Sequence, residues 1–529
     1  MQENNYPNNY LKQKSLECSI SGVCSINTAL TSVHETILLH IKYLAFYLLK
    51  LKDFGITNDK IKKDVLNILY GIAINTTYSQ EEFQGIVKNI DEYITQSKYL
   101  YEKHCKENQL KIETQKIKLQ KNYDLIDTIK KWEKNFIKKY KTQSEEDKNS
   151  VEIIHILGRS LVIKIVELQR LNGDLKDAYY TILSLINTIE ESNFKFPYDL
   201  FEKGLLTFLE INKKIYAIQR KLFGRVMENE ADMSSFEGKA ILVSGTDLMP
   251  LKILLDETEK KDINIYTHGF DMLVAHTLPE FCKYKNFRGN FASGYENYIA
   301  DFSVFPGPIV MSRVYMENVD FLYRGRLFSP DPYVSKGITR IDDFEFAPVV
   351  NSAIKSVGFK KNHKRKKIKL GYNEEEVTAY TDKILQKVKD GKIKNLYIIG
   401  LCNFSDKSED YYEEFLQKLP DNSFAFSFSH PKSAENIFHI NSYFDTRLFL
   451  KIFRNFKDIP QGNISIFVTK GDRYVVTNLL LMKKLGFRHV FSSDFPDSII
   501  APNVKDILQQ KFKINFISNV DKDIEKTMY

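Results

Sequence analysis

The sequence predicts a multidomain α + α/β protein, with an amino-terminal helical bundle followed by two α/β domains built on parallel sheets. Three observations lead there. Apolar residues recur at three- and four-residue intervals from about Thr28 to Met227, the pattern of helices that bury one face. From Gly238 the texture changes to short apolar runs alternating with helical stretches. After a Lys-rich segment the same alternation returns and continues to the carboxyl terminus. The expected division is a helical domain over 1–227, a first α/β domain over 228–359, a basic linker over 360–370 and a second α/β domain over 371–529.

In the helical part, Val33 to Leu51, Ile61 to Ile74, Val151 to Leu171 and Asp177 to Ile189 carry the clearest helical spacing. Lys106 to Lys141 is rich in Lys, Glu and Gln with interspersed apolar residues, and is expected to be one long helix with a solvated face. Beyond Gly238, Lys239 to Val243 reads as a strand, Leu248 to Lys260 as a helix, Ile263 to Tyr266 as a second strand and Pro308 to Met311 as a third. In the last third, Asn395 to Gly400, Phe424 to Phe428, Ile464 to Val468 and His489 to Phe491 read as strands. The segments Tyr411 to Leu419, Ser442 to Phe453 and Asp472 to Leu485 are the expected helices between and after them.

A chain of 529 residues with 43% hydrophobic content can bury large cores, enough for about three domains. Seven of its eight net positive charges sit between Lys360 and Lys369, which argues against a diffuse nucleic-acid surface. The Lys-rich run itself is expected to be a solvated connection, not a nucleic-acid or targeting element. Met1 to Lys14 is polar and Asn-rich, without the layout of a signal peptide. Thr36 to Leu51 is apolar but broken by His40, Lys42 and Lys50, and too short to span a bilayer readily. Five cysteines do not make a disulfide framework and fit a reducing compartment. A soluble cytoplasmic protein is therefore expected, with no membrane or nucleic-acid partner.

The thiol that draws attention is Cys402, which closes the run Leu396 to Cys402, a buried-type strand that stops on a thiol. The carboxyl ends of such strands are where open α/β sheets bind ligands, so a cysteine there is a candidate nucleophile or metal ligand; a buried structural cysteine is the plainer alternative.

Several segments taken together carry a resemblance: Val243 to Leu248 (VSGTDL), Ile265 to Gly269 (IYTHG), Arg288 to Phe291 (RGNF), Phe305 to Met311 (FPGPIVM), Gly391 to Cys402 and Ala501 to Val504 (APNV). In this order and spacing the chain resembles the hybrid cluster protein (prismane) family, the hydroxylamine reductases related to carbon monoxide dehydrogenases. The resemblance runs from Cys18 to the carboxyl terminus. It implies a helical first domain and two Rossmann-like α/β domains, a cubane iron-sulfur cluster near the amino terminus, and an oxygen-containing four-iron hybrid cluster where the domains meet. At that cluster, family members cleave the N–O bond of hydroxylamine with two electrons to give ammonia and water, and some reduce nitric oxide.

The family's ligands are largely absent here. Cys18 and Cys24 match the last two cubane cysteines, and residues 1–17 contain no cysteine to match the first two. The family histidine after Ser-Gly falls at Thr246, and its first glutamate at Phe270, or at Asp271 with one residue inserted. Two cysteine positions fall at Tyr315 and about Tyr443, and the second glutamate at about Gly471. Cys402 matches the persulfide-bearing cysteine, and a further cysteine position falls at about His430. Cys402, His430 and Asp271 are thus the candidate metal ligands, with Cys402 the candidate reactive residue. Soft thiolates are what hold iron in such clusters, so the expected outcome is a family member without its iron-sulfur clusters, acting as a non-catalytic binding or regulatory protein with a protein partner or as a homo-oligomer. The alternative is an active reductase at an altered iron-sulfur site involving Cys402, acting on a small nitrogen–oxygen substrate. His268 and His276 are expected to be hydrogen-bonded structural histidines, and Cys105 and Cys282 to be inert.

Overall fold

The computed structural model describes residues 28–119, 123–142, 145–174, 176–188, 196–269, 271–291, 298–313, 322–400, 409–428, 435–440, 459–460, 463–468, 475–493 and 502–528. Two compact units emerge. One holds the helices up to Asn212 and takes in Asp331–Arg340, and the other holds Lys213–Arg313, Asp320–Pro330 and Ile341–Tyr529.

Seven helices open the chain: α1 (Thr28–Asp53), α2 (Asp59–Ala73), α3 (Gln80–Glu107), α4 (Leu125–Thr142), α5 (Glu145–Arg170), α6 (Lys176–Thr188) and α7 (Tyr198–Phe223). Helix α1 buries Val33, Ile37, Ile41, Leu44 and Leu48, a stripe at three- and four-residue steps that faces its neighbours in the bundle. Helix α3 begins with a reciprocal cap, in which Glu82 N donates to Ser79 Oγ at 3.2 Å and Ser79 N donates to Glu82 Oε2 at 2.8 Å. Such a cap contributes about 1 kcal/mol by satisfying donors the first turn leaves open. The Asp331 carboxylate is fully buried in this unit, accepting from Arg170 Nη2 at 2.9 Å and from Tyr70 Oη at 2.8 Å.

One long helix over Lys106 to Lys141 does not form. Helix α3 stops at Glu107, Gln109 takes a positive φ of 54°, and residues 110–119 are non-helical before α4 starts at Leu125. The reason lies in the spacing. Leu110 and Ile112, then Ile117 and Leu119, stand two apart, an alternation suited to extended chain. Ile112 packs on the cluster of Tyr47, Leu51, Tyr101 and Cys105, and Glu113 N donates to Tyr101 Oη at 3.0 Å.

Beyond the opening helices the chain forms two six-stranded sheets. The first combines β2 (Lys239–Ser244), β3 (Ile263–Thr267), β4 (Phe287–Asn290), β5 (Ile309–Met311), β6 (Leu327–Ser329) and β7 (Thr339–Arg340) in the order β4-β3-β2-β5-β6-β7. The second combines β9 (Asn395–Ile399), β10 (Ser423–Ser427), β11 (Ile437–His439), β12 (Ile464–Val468), β13 (His489–Ser492) and β14 (Asn515–Phe516) in the order β11-β10-β9-β12-β13-β14. Counted from the first strand of each, both follow 3-2-1-4-5-6, the doubly wound dinucleotide-fold order, as the Rossmann-like expectation requires. Every pairing within the second sheet is parallel, as are the four pairings from β4 to β6 in the first.

The intervening helices are α8 (Leu248–Thr258), α9 (Pro279–Cys282), α10 (Tyr298–Val304), α11 (Ala347–Lys355), α12 (Glu374–Lys389), α13 (Glu409–Gln417), α14 (Val475–Lys484), α15 (Pro502–Gln510) and α16 (Val520–Thr527). The expected helix Ser442 to Phe453 lies outside the described residues. Tyr397, Ile399, Phe415, Phe467 and Phe491 form the apolar layer of the second sheet, with Phe467 and Phe491 stacked at 4.4 Å. Among the described residues no helix is long and apolar enough to cross a membrane.

The Lys-rich segment, expected as a basic linker, ends in a strand. Strand β8 (Lys367–Leu370) pairs antiparallel with β1 (Asn229–Asp232), and the ribbon continues through bridges between Ser235 and His363 and between Gly238 and Phe359. The side chains of Lys360, Lys361, Lys364, Arg365, Lys366, Lys367 and Lys369 are exposed on it.

Candidate functional site at the strand ends

In a 3-2-1-4-5-6 sheet the order reverses between the first and fourth strands, and the crevice beyond their carboxyl ends is where ligands bind. The reversals here fall between β2 and β5 and between β9 and β12. Four positions that the resemblance matches to family ligands follow these four strands in sequence. Thr246 comes after β2, Tyr315 after β5, Cys402 after β9 and Gly471 after β12. Of these, Thr246 is described; Tyr315, Cys402, Gly471, Phe270, His430 and Tyr443 lie outside the described residues, as do Cys18 and Cys24. Asp271 is half-buried in the turn before the 3-10 turn Leu273–Thr277. Among the described residues, no three His, Cys, Asp or Glu side chains stand together in a metal-holding group.

The end of β2 is shaped by a close backbone crossing. Gly245 has φ +104°, and a Cβ there would lie 2.3 Å from Ser312 O, so only glycine fits the turn. Ser312 N donates to Ser244 O at 3.2 Å, which ties β5 to β2. Asp247 then caps α8, its Oδ1 accepting from Met249 N at 3.0 Å. Between them stands Thr246, whose Oγ1 is buried and has no hydrogen-bond partner among the described residues.

Around this unpartnered hydroxyl in sequence, the polar groups are paired with one another. The register sets Val243 opposite Thr267, so the next residues, Ser244 and His268, meet across neighbouring strand ends. Ser244 Oγ lies 3.0 Å from His268 Nδ1, and His268 Nε2 lies 3.3 Å from Asp301 Oδ2. A carboxylate accepts, so His268 Nε2 is the donor to Asp301. Ser244 and His268 are both essentially inaccessible, which makes this a structural chain and not a hydrolytic one.

His276 is held in the same manner. Thr267 Oγ1 donates its one proton to Asn290 Oδ1 at 2.8 Å, so His276 Nε2, also at 2.8 Å from Thr267 Oγ1, must be the donor in their contact. The ring stacks on Phe287 at 4.4 Å, and burial lowers its pKa to about 3, keeping it neutral. Both histidines are hydrogen-bonded, as expected from the sequence. Cys282 is held too, donating to His276 O at 3.3 Å, and burial pushes its thiol pKa up. Cys105 lies in the apolar cluster under the segment after α3. The Ser244–His268–Asp301 chain was not foreseen, although a serine and a histidine ending successive parallel strands are the signal for it.

Thr246, where the resemblance implies a ligating histidine, does not supply the donor that the family's cluster would need there. A neutral hydroxyl replaces an imidazole nitrogen, and the two nearby histidines already have partners.

Comparison with known proteins gives a consistent picture. The sequence model of the Prismane/CO dehydrogenase family matches residues 14–427. The hydroxylamine reductase of Thermodesulfovibrio yellowstonii is 25% identical over 97% of this chain and 98% of its own. That of Actinobacillus succinogenes is 23% identical over 96% of this chain and 95% of its own, and that of Geobacter metallireducens 24% identical over 97% of each. With the matching fold and strand-end motifs, these similarities establish that the chain belongs to the Prismane/CO dehydrogenase family.

Proposed function

We propose that this chain keeps the family's fold without its iron-sulfur clusters, and acts as a non-catalytic binding or regulatory protein. The observation that carries this reading is Thr246. At the reversal point of the first sheet, where the resemblance calls for a ligating histidine, the side chain ends in a buried hydroxyl with no partner among the described residues. The sequence supports it further, because tyrosines and a glycine stand at three other ligand positions, Tyr315, Tyr443 and Gly471. Cluster stability depends on the number and softness of its ligands, and replacing several together removes that basis. Cys402, three residues beyond β9 in sequence, is then the remnant of the site.

The test is turnover after every opportunity to assemble a cluster. Protein incubated without oxygen with iron and sulfide, then desalted, is expected to consume no hydroxylamine with a reduced viologen as donor. Hydroxylamine reduction that disappears in Cys402→Ala would overturn the reading and restore the alternative, an active reductase with an altered site.

A further inference from the structure

The second sheet carries a separate feature at its opposite end. A cleft of about 840 Å3 opens where β13 and β14 begin, at His489 and Asn515, the amino ends of these strands. This is the size of a small-molecule site. Its walls come from the last turn of α14 and the turn after it, the residues after α15 and one face of α16, which contribute Lys483, Arg488, Lys513, Lys522 and Lys526. The acid lining it is Glu525. Lys526 is already paired with Asp523 at 2.9 Å, and Lys483 donates to Arg488 O at 2.8 Å. Arg488, Lys513 and Lys522 have no carboxylate within ion-pair distance among the described residues.

We propose that this cleft is an anion site for a polyphosphate group, carried by a nucleotide or by an inorganic polyphosphate. Several cations from three elements converge on one concavity with a single carboxylate in its lining, an arrangement that leaves positive charge uncompensated. The pKa values of Lys483 and His489 support this. Both are lowered, first by burial and next by the neighbouring Arg488, so the cleft penalises its own positive charge in the absence of an anion. A dianionic or more highly charged group relieves that penalty, and arginine and lysine bind phosphate oxygens with charge-assisted hydrogen bonds. The site is independent of the strand-end reading, since it lies at the amino ends of β13 and β14, away from the carboxyl ends that carry the family positions.

Isothermal titration of the full chain at low salt tests it, with sodium pyrophosphate in one arm and ATP in the other. Binding of both assigns recognition to the phosphates, and binding of ATP alone assigns it to a nucleotide. Either result is expected to weaken at least tenfold in Arg488→Glu/Lys513→Glu, two exposed positions, with circular dichroism checking that the fold is intact. The control Lys364→Glu/Lys366→Glu on β8 should bind as the wild type does. No binding in either arm would overturn the proposal. So would binding that survives the cleft exchange, or that the control exchange removes, since both put the anion elsewhere.

Discussion

The two parallel sheets share one strand order and use their polar groups in opposite ways. At the carboxyl ends of the first, Ser244, His268, Thr267, His276 and Asn290 are buried and hydrogen-bonded, with Thr246 Oγ1 the exception among the described residues there. At the amino ends of the second, cations gather with little to neutralise them. Buried polar groups that satisfy one another rigidify a structure, whereas uncompensated charge is stored capacity to bind. A shared topology thus says where a ligand can sit, and the side chains decide whether one does.

The largest expected effect breaks the first sheet's closed end. Gly245→Ala places a Cβ against Ser312 O in a left-handed conformation, and should cost roughly 2–6 kcal/mol in urea unfolding. Acid acts next. The His276 pKa of about 3 lies below its unfolded value of 6.5, and His34, buried against Thr76 O, behaves alike. The unfolded chain therefore binds more protons below pH 6.5. Stability is full above that value and falls towards pH 3, by roughly 1.4 kcal/mol per pH unit for each group. Urea midpoints between pH 7 and 5 should show this slope, and His276→Gln, which keeps a donor but cannot titrate, should make it shallower.

Two hydroxyl exchanges of opposite sign follow. Ser244→Ala leaves His268 Nδ1 unpaired and should destabilise by about 1–3 kcal/mol. Thr246→Val removes an unpartnered hydroxyl and should stabilise by about 1 kcal/mol. Equal losses in both would mean that Thr246 is as well bonded as Ser244, and would dissolve the contrast. The smallest effect belongs to the second sheet. Arg488→Gln eases the repulsion on Lys483 and His489 and should raise the melting temperature by roughly 1–2 °C at low salt, with the gain fading as salt is added.

Seven of the fourteen strands among the described residues were legible because they are continuous apolar runs. Ile464–Val468 has the bounds read from the sequence, and Lys239–Ser244 and Asn395–Ile399 differ from theirs by one residue. Lys106 to Lys141 misled because residues that favour helices surround apolar pairs spaced for extended chain. The β1–β8 ribbon was hidden because its strands lie more than 130 residues apart and neither is apolar. At the candidate site, the resemblance located Thr246, whereas the burial of its hydroxyl depends on the crossing of Gly245 and Ser312. The cleft escaped notice because its cations are scattered from Lys483 to Lys526 among acids that point elsewhere, such as Asp521, paired with Lys418.

The central claim is that the family's cluster chemistry has been lost from the strand ends. Iron and acid-labile sulfide per chain, measured on protein purified without oxygen, test it most directly. The account predicts colourless, folded protein with neither element in stoichiometric amount, unchanged by Cys402→Ala. Brown protein carrying several irons and sulfides per chain, bleached by that substitution, would contradict it.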